Sequence, residues 1–141
     1  SSLPADSLPP NLRALELGNL HAAALAGLNM PAGGLPQLQS LALSSTEYKN
    51  MDLRWLAACP QLTQLHLEGC QLPVLPAELP ALTGLVELKI QRARLMVDDV
   101  ALRPLSALQQ LTRLDLGQNG VTSLPAAVLS LPALQVKLHW Q

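Results

Sequence analysis

The sequence predicts an α/β solenoid, in which a repeated unit stacks to form a parallel sheet on one face and short helical segments on the other. Three observations predict this fold class. An apolar motif recurs along the chain, its internal spacing fits neither a helix nor a strand alone, and the composition describes a core of leucine and alanine. Hydrophobic residues make up 49% of the 141 residues but aromatic residues only 2%, so large rings cannot supply the core.

The recurring motif is L-x-x-L-x-L, with Ile90 once in its last position. Its five copies begin at Leu12, Leu38, Leu62, Leu85 and Leu111, which lie 26, 24, 23 and 26 residues apart. Within each copy, a short strand directs two leucines inward and the residues between them outward, and neighbouring strands lie about 4.8 Å apart. Because one repeat cannot bury its own leucines, the copies are expected to stack into a continuous core.

This motif and its spacing resemble the leucine-rich repeat family, and the resemblance covers essentially the whole chain. It implies a right-handed superhelix with a parallel β-sheet on the concave face, and with short helices, 3₁₀ turns and loops on the convex face. The segments SLPAAVLSLPAL and VLPAELPALTGL resemble the short LPxxL-type repeats of about 23 residues. MDLRWLAACPQL and VDDVALRPLSAL resemble the cysteine-containing type of about 24–26 residues.

The outer segments carry helix signals. Pro76 and Pro125 stand where a first helical or 3₁₀ turn tolerates a missing N–H. Asp52, and Asp98 or Asp99, stand as N-caps before longer apolar segments. Pro104 falls inside the second of these segments, so a helix there is expected to break or restart at this residue.

The family's asparagine position lies three residues after the last leucine of the motif. It holds Thr46, Cys70, Ala93 and Asn119 in the four clearest repeats. A side chain at this point of departure from the strand can satisfy buried backbone groups. We expect Asn119 to do so, whereas the side chain of Ala93 can satisfy none.

The predicted organisation is a single domain over residues 1–141, in which 1–11 is the tail of a preceding repeat and 134–141 is a partial terminal repeat. In that last repeat Lys137 and His139 occupy leucine positions, while Val136, Leu138 and Trp140 alternate, which predicts that the inward set is moved by one residue. Neither end has a cysteine-rich cap. Because solenoids need caps, the sequence favours a segment of a larger protein.

The cysteine content argues against a metal site. Cys59 and Cys70 lack metal-ligand spacing, and zinc needs about four ligands. We interpret both as buried thiols acting as small core residues. A disulfide is the alternative, disfavoured inside cells. The absence of an N-x-S/T site favours an intracellular, cytoplasmic location.

No catalytic or nucleic-acid signal emerges. His66 and Glu68 share the outward face, but the sequence offers no nucleophile and orienting partner beside them. Nine Lys and Arg against ten Asp and Glu leave a net charge of −1 without a basic stripe, which argues against nucleic acid. No apolar run reaches bilayer length and no basic amphipathic segment suggests a membrane surface. We therefore expect no catalysis, no cofactor, no metal, and neither a membrane nor a nucleic-acid partner.

The remaining candidate site is the concave face, defined as the outward side chains of the predicted strands. The first two repeats place small residues there, and the later ones place polar and charged residues. The candidates for protein binding are Gln64, His66, Glu68, Glu87, Lys89, Gln91, Arg113 and Asp115. Glu87 is expected beside Arg113 and Lys89 beside Asp115, so a self-compensated solvated face is the alternative interpretation.

The sequence thus predicts a non-catalytic protein–protein interaction or scaffolding module that binds a protein partner through the concave face. The alternative is a substrate-recognition segment of a larger enzyme, such as a ubiquitin ligase of the F-box or bacterial-effector type. This alternative follows from the family resemblance and not from particular residues. An F-box or ligase domain in the full-length sequence would favour it, and repeats alone would favour the first interpretation.

Overall fold

The described part of the chain forms one six-stranded parallel sheet whose strands follow one another in chain order. The structure is a computed structural model, and it describes residues 11–18, 35–44, 54–72, 74–95, 99–121 and 124–136. The strands are β1 (Ala14–Gly18), β2 (Ser40–Ser44), β3 (Gln64–Glu68), β4 (Glu87–Gln91), β5 (Arg113–Asp115) and β6 (Gln135–Val136). Each strand after β1 pairs with the one before it, as expected for stacked coils.

The strand register follows the leucine motif through the first five strands. Leu65 pairs with Leu41 on one side and with Leu88 on the other, and Leu88 pairs with Leu114. Equivalent residues of successive motifs therefore stack directly on one another. Every inward leucine meets an inward residue, and every outward residue has an outward neighbour.

The last strand departs from this register in the predicted direction. A sixth copy of the motif beginning at Leu134 would set Lys137 beside Leu114, but Val136 is the residue that pairs there. The pairing has thus moved by one residue, so a lysine is not the partner of the buried Leu114. Leu138 and Trp140, which continue the same prediction, lie outside the described residues.

The outer side of the coils is built from single turns. Among the described residues, three segments are 3₁₀-helical: Arg54–Ala58, Leu79–Ala81 and Arg103–Ala107. Two more are α-helical, α1 (Asp99–Leu102) and α2 (Ala126–Leu129). Helix α1 ends just before Arg103, and Pro104 lies in the first turn of the 3₁₀ segment that follows. The predicted break at Pro104 is confirmed, because proline cannot donate the next helical hydrogen bond.

The structure describes only some of the other residues predicted to begin a helix. Pro125 is the N-cap of α2 and is extended, with ψ of 146°. Asp52 and Asp98 lie outside the described residues. Asp99 begins α1, but its side chain is not described, so its capping role stays a prediction.

A turn of the backbone precedes each of the later strands and repeats from coil to coil. The first leucine of the motif donates its amide to the carbonyl three residues earlier, as from Leu62 to Cys59 at 3.2 Å and from Leu85 to Leu82 at 3.0 Å. The residue at that earlier position is buried in each described coil. Cys59 therefore occupies a position that leucine fills elsewhere.

Both cysteines are buried core residues that form no disulfide, as the sequence predicted. Burial raises the pKa of the Cys59 thiol, and a backbone hydrogen bond involving Leu35 opposes this shift in part. A raised thiol pKa disfavours the reactive thiolate. Cys59 is thus a small core residue, consistent with its place among the leucines.

The core runs continuously through the stack and thins toward its ends. The strand leucines of the central coils are at most 2% exposed: Leu41, Leu43, Leu65, Leu67, Leu88 and Leu114. By contrast Leu12, Leu15 and Leu134, in the outermost described coils, are only partly buried. Substitutions in β3 and β4 are therefore expected to cost the most stability.

Candidate functional site: the concave face

The asparagine position holds a side chain that hydrogen-bonds to the backbone where the chain leaves β4 and β5. Asn119 Oδ1 accepts a hydrogen bond from the Ala93 amide at 2.9 Å, and its Nδ2 donates to the carbonyl oxygens of Ile90 at 2.6 Å and Leu116 at 3.1 Å. The predicted role of Asn119 is confirmed. Ala93, whose own side chain can satisfy nothing, has its amide satisfied by the asparagine of the next coil.

The residue two positions after the last apolar residue of the motif has a left-handed backbone in three successive coils. Gly69, Arg92 and Gln118 occupy this equivalent position with φ of 69°, 52° and 60°. A left-handed residue that is not glycine costs roughly 1–2 kcal/mol. The Arg92 guanidinium donates a hydrogen bond to the Gln118 amide oxygen, and its Nη1 lies 3.9 Å from Glu68 Oε1.

Arg92 and Gln118 were not among the residues singled out from the sequence. Their position two residues after the motif is the signal that could have found them, since a side chain there lies at the edge of the concave face. The neighbouring coil has glycine at that point, so sequence alone favours a turn rather than a contact.

All eight candidate residues lie at outward positions of three adjacent strands. Each strand contributes two or three of them: Gln64, His66 and Glu68 from β3, Glu87, Lys89 and Gln91 from β4, and Arg113 and Asp115 from β5. Gln64, Glu68 and Arg113 are exposed and the other five are partly buried. The structure therefore brings the whole candidate set onto one surface. Its role in binding stays a prediction.

Glu87 is the centre of the strongest charged contact on this surface. His66 Nε2 lies 3.0 Å from Glu87 Oε2, a hydrogen bond that requires a proton on Nε2, and Arg113 Nη1 lies 3.6 Å from Glu87 Oε1. The predicted proximity of Glu87 and Arg113 is confirmed. His66 reaches Glu87 diagonally, because its direct partner on β4 is Lys89.

The environment of Glu87 shifts its acidity. The hydrogen bond from His66 is the main cause that holds the pKa of Glu87 below its ordinary value of 4.5, with further contributions from the charges of His66 and Arg113. Partial burial acts in the opposite direction. The folded protein thus holds the Glu87 proton less tightly than the unfolded chain does.

A lowered carboxyl pKa contributes stability above pH 4.5, and this contribution is lost as the pH falls through the pKa of the folded state. We expect Glu87→Gln to lower the free energy of unfolding by at most about 1 kcal/mol near neutral pH. The difference from wild type should shrink in strongly acidic solution. Urea unfolding of wild type and Glu87→Gln at a series of acidic pH values measures this difference. In a His66→Ala background the effect of Glu87→Gln should be smaller, and an unchanged effect would contradict the assignment to His66.

Asp115 does not pair with Lys89, although the two are direct neighbours across the ladder. Asp115 Oδ2 accepts a hydrogen bond from Gln91 Nε2 at 2.9 Å, and Oδ1 accepts one from the Gly117 amide at 2.9 Å. The predicted register is confirmed, but the carboxylate is engaged by neutral donors. Among the described residues Lys89 has no ion-pair partner. The concave face is therefore only partly self-compensated.

A shallow hollow of about 220 Å³ lies beside Lys89 on the concave face. Its floor includes the small residues Gly18, Ala42 and Ser44 of β1 and β2. Polar side chains border it, among them Glu16, His66 and Lys89. The predicted contrast between small residues on the early repeats and charged residues on the later ones thus takes the form of a depression with a charged border.

No group of three or more His, Cys, Asp or Glu side chains among the described residues is arranged to hold a metal ion. No helix within the described ranges has the length and apolar character needed to cross a membrane.

The stacked parallel strands, the buried leucine columns and the asparagine that joins adjacent coils define a repeat solenoid with an open polar sheet face. No family model matches the chain. Podocan-like protein 1 of Homo sapiens is 38% identical over 114 residues, which cover 80% of this chain and 21% of that protein. A solved leucine-rich repeat protein of Leptospira interrogans matches 96% of this chain and 35% of its own, with a TM-score of 0.70 and 24% identity.

The solenoid and its repeats are those of leucine-rich repeat proteins, as the sequence predicted. The chain spans about a fifth of the length of the human relative and about a third of the Leptospira protein. Its fold is the solenoid predicted from the sequence.

Proposed function

We propose that this chain is a non-catalytic protein-binding module whose concave face contacts a protein partner. The observation that carries the proposal is the register of the polar side chains. Eight candidate residues lie on three adjacent strands, held by neighbours such as Arg113 for Glu87, beside an open hollow. Such a surface is rigid and extended before a partner arrives, which lowers the entropic cost of binding.

The contacts of His66 support the non-catalytic part of the proposal. Its Nε2 is engaged by Glu87, and neither Ser40 nor Ser44 on the neighbouring strand hydrogen-bonds to it. Ser40 Oγ donates to Gln64 Oε1 at 3.4 Å instead. A nucleophile, a base and an orienting group are thus not joined in the part of the chain that the structure describes.

The proposal includes an intracellular, cytoplasmic site of action. This part of the proposal rests on the sequence, which contains no N-x-S/T acceptor for N-glycosylation.

The test is an affinity capture from the source cell, comparing three folded proteins. The first is wild type, and the second carries Glu87→Ala, Lys89→Ala, Arg113→Ala and Asp115→Ala. The third is a matched control with Arg103→Ala and Gln110→Ala, two exposed residues of an outer segment and its following turn. We expect wild type and control to retain a common partner and the second protein to lose at least about tenfold in affinity, equivalent to about 1.4 kcal/mol.

Equal retention of the partner by all three proteins would contradict the proposal, because the binding surface would then lie outside β4 and β5. Circular dichroism and urea unfolding of each protein separate a loss of contact from a loss of folding.

A further inference from the structure

One row of the concave face crosses the strands at right angles and links two charges that form no ion pair with another described residue. Glu16 pairs with Ala42, Ala42 with His66, and His66 with Lys89, so these four residues occupy the same outward position on β1 to β4. Neighbouring strands lie about 4.8 Å apart, so about 14 Å separates the two ends of the row. The row runs across the hollow, whose border contains both Glu16 and Lys89.

The charges at the two ends have opposite sign and lack partners within the described residues. At one end, the Asp115 carboxylate beside Lys89 is engaged by Gln91 and Gly117. At the other, Glu16 forms no ion pair in the described ranges. A partly buried lysine and an exposed glutamate thus line the same hollow, and no other described residue neutralises either charge.

The size of the hollow limits its occupant. Pockets that enclose drug-sized ligands usually measure about 300–1,000 Å³, and this hollow of about 220 Å³ is smaller and open. Ala42 in the middle of the row leaves room for a backbone to approach the sheet. The opposite charges at the two ends disfavour a uniformly charged polymer such as a nucleic acid. An extended polypeptide that carries both signs of charge fits these features.

We propose that this row binds an extended segment of a partner protein, with a basic side chain over Glu16 and an acidic side chain over Lys89. An extended chain spans at most about 3.3–3.6 Å per residue, so the two charged residues are about four positions apart. This inference rests on the proposed function and names the chemistry of the partner segment.

The test is a selection of random twelve-residue peptides, displayed on phage, against the immobilised 141-residue chain. Wild type should enrich peptides with a basic and an acidic residue three to five positions apart. Lys89→Glu makes both ends of the row acidic, so it should weaken those peptides at least tenfold. A peptide whose acidic residue is replaced by lysine should bind Lys89→Glu better than wild type. This reciprocal recovery does not depend on the direction in which the peptide lies.

Two variants separate this inference from the proposed function. Ala42→Arg, verified to be folded, fills the hollow without removing a charge from the row. Peptides that bind Ala42→Arg as well as wild type would overturn this inference alone, because they would not occupy the row; the proposed function is tested separately by the substitutions in β4 and β5. Peptides that lose binding to Ala42→Arg but are indifferent to Lys89→Glu would overturn only the charge assignment. The charge assignment would also be overturned if the selected peptides were enriched in acidic residues alone, or if the selection enriched no common sequence.

Discussion

Leu65→Ala is expected to lower the free energy of unfolding by about 2–5 kcal/mol, the range measured for buried leucines. Leu65 is completely buried in β3, at the centre of the stack, and pairs with Leu41 on one side and Leu88 on the other. Its truncation leaves a cavity between two coils whose backbones are held by ladder hydrogen bonds, so the walls cannot collapse easily. Urea unfolding followed by circular dichroism measures the change.

The matched control is Leu129→Ala, the same chemical change at a side chain that is 59% exposed on α2. It should alter the free energy of unfolding by no more than about 0.5 kcal/mol. A cost for Leu65→Ala below about 1 kcal/mol would mean that β3 does not lie at the centre of the core.

Asn119→Ala is expected to lower the free energy of unfolding by about 2–4 kcal/mol, because several partly buried backbone groups lose their partner together. The Ala93 amide loses its acceptor, and the carbonyl oxygens of Ile90 and Leu116 lose a donor. These groups belong to two different coils, so the change weakens the junction between β4 and β5. Thermal and urea unfolding both report it.

Asn119→Asp tests whether the acceptor Oδ1 or the donor Nδ2 of the Asn119 amide contributes the stability. An aspartate retains the acceptor for the Ala93 amide but has no donor for the carbonyl oxygens, and it places a negative charge beside them. It should therefore fail to restore stability. Gln110→Ala, which removes an exposed amide, is the control, expected to change stability by less than about 0.5 kcal/mol. Equal effects of Asn119→Ala and Gln110→Ala would refute the role assigned to Asn119.

Much of the fold could be predicted from the sequence because leucine spacing reports burial directly. In a stack of parallel strands, the inward residues of one coil must meet those of the next, so the motif sets both the strand and its register. The pairing of Glu87 with Arg113 and the shifted pairing at Val136 followed from that spacing. The break at Pro104 followed from covalent chemistry alone.

The side-chain contacts of the candidate site could be predicted less well. Register determines which residues are neighbours, but the length and donors of each side chain decide which neighbour is contacted. Glutamine at position 91 reaches diagonally to Asp115, and His66 reaches diagonally to Glu87, so the direct pair Lys89 and Asp115 forms no ion pair. Periodicity contains no information on such reach.

The sequence by itself determined the repeat, the strands, their order and the outward set of residues, since each depends on apolar spacing along the chain. Only the tertiary structure decided how those outward residues share their hydrogen bonds and which charges are left without a partner. It also decided that the Ala93 amide donates its hydrogen bond to the side chain of Asn119 in the next coil. The physical reason is that hydrogen bonds and ion pairs depend on distances between coils, and residues more than twenty positions apart in the chain meet only when the solenoid stacks.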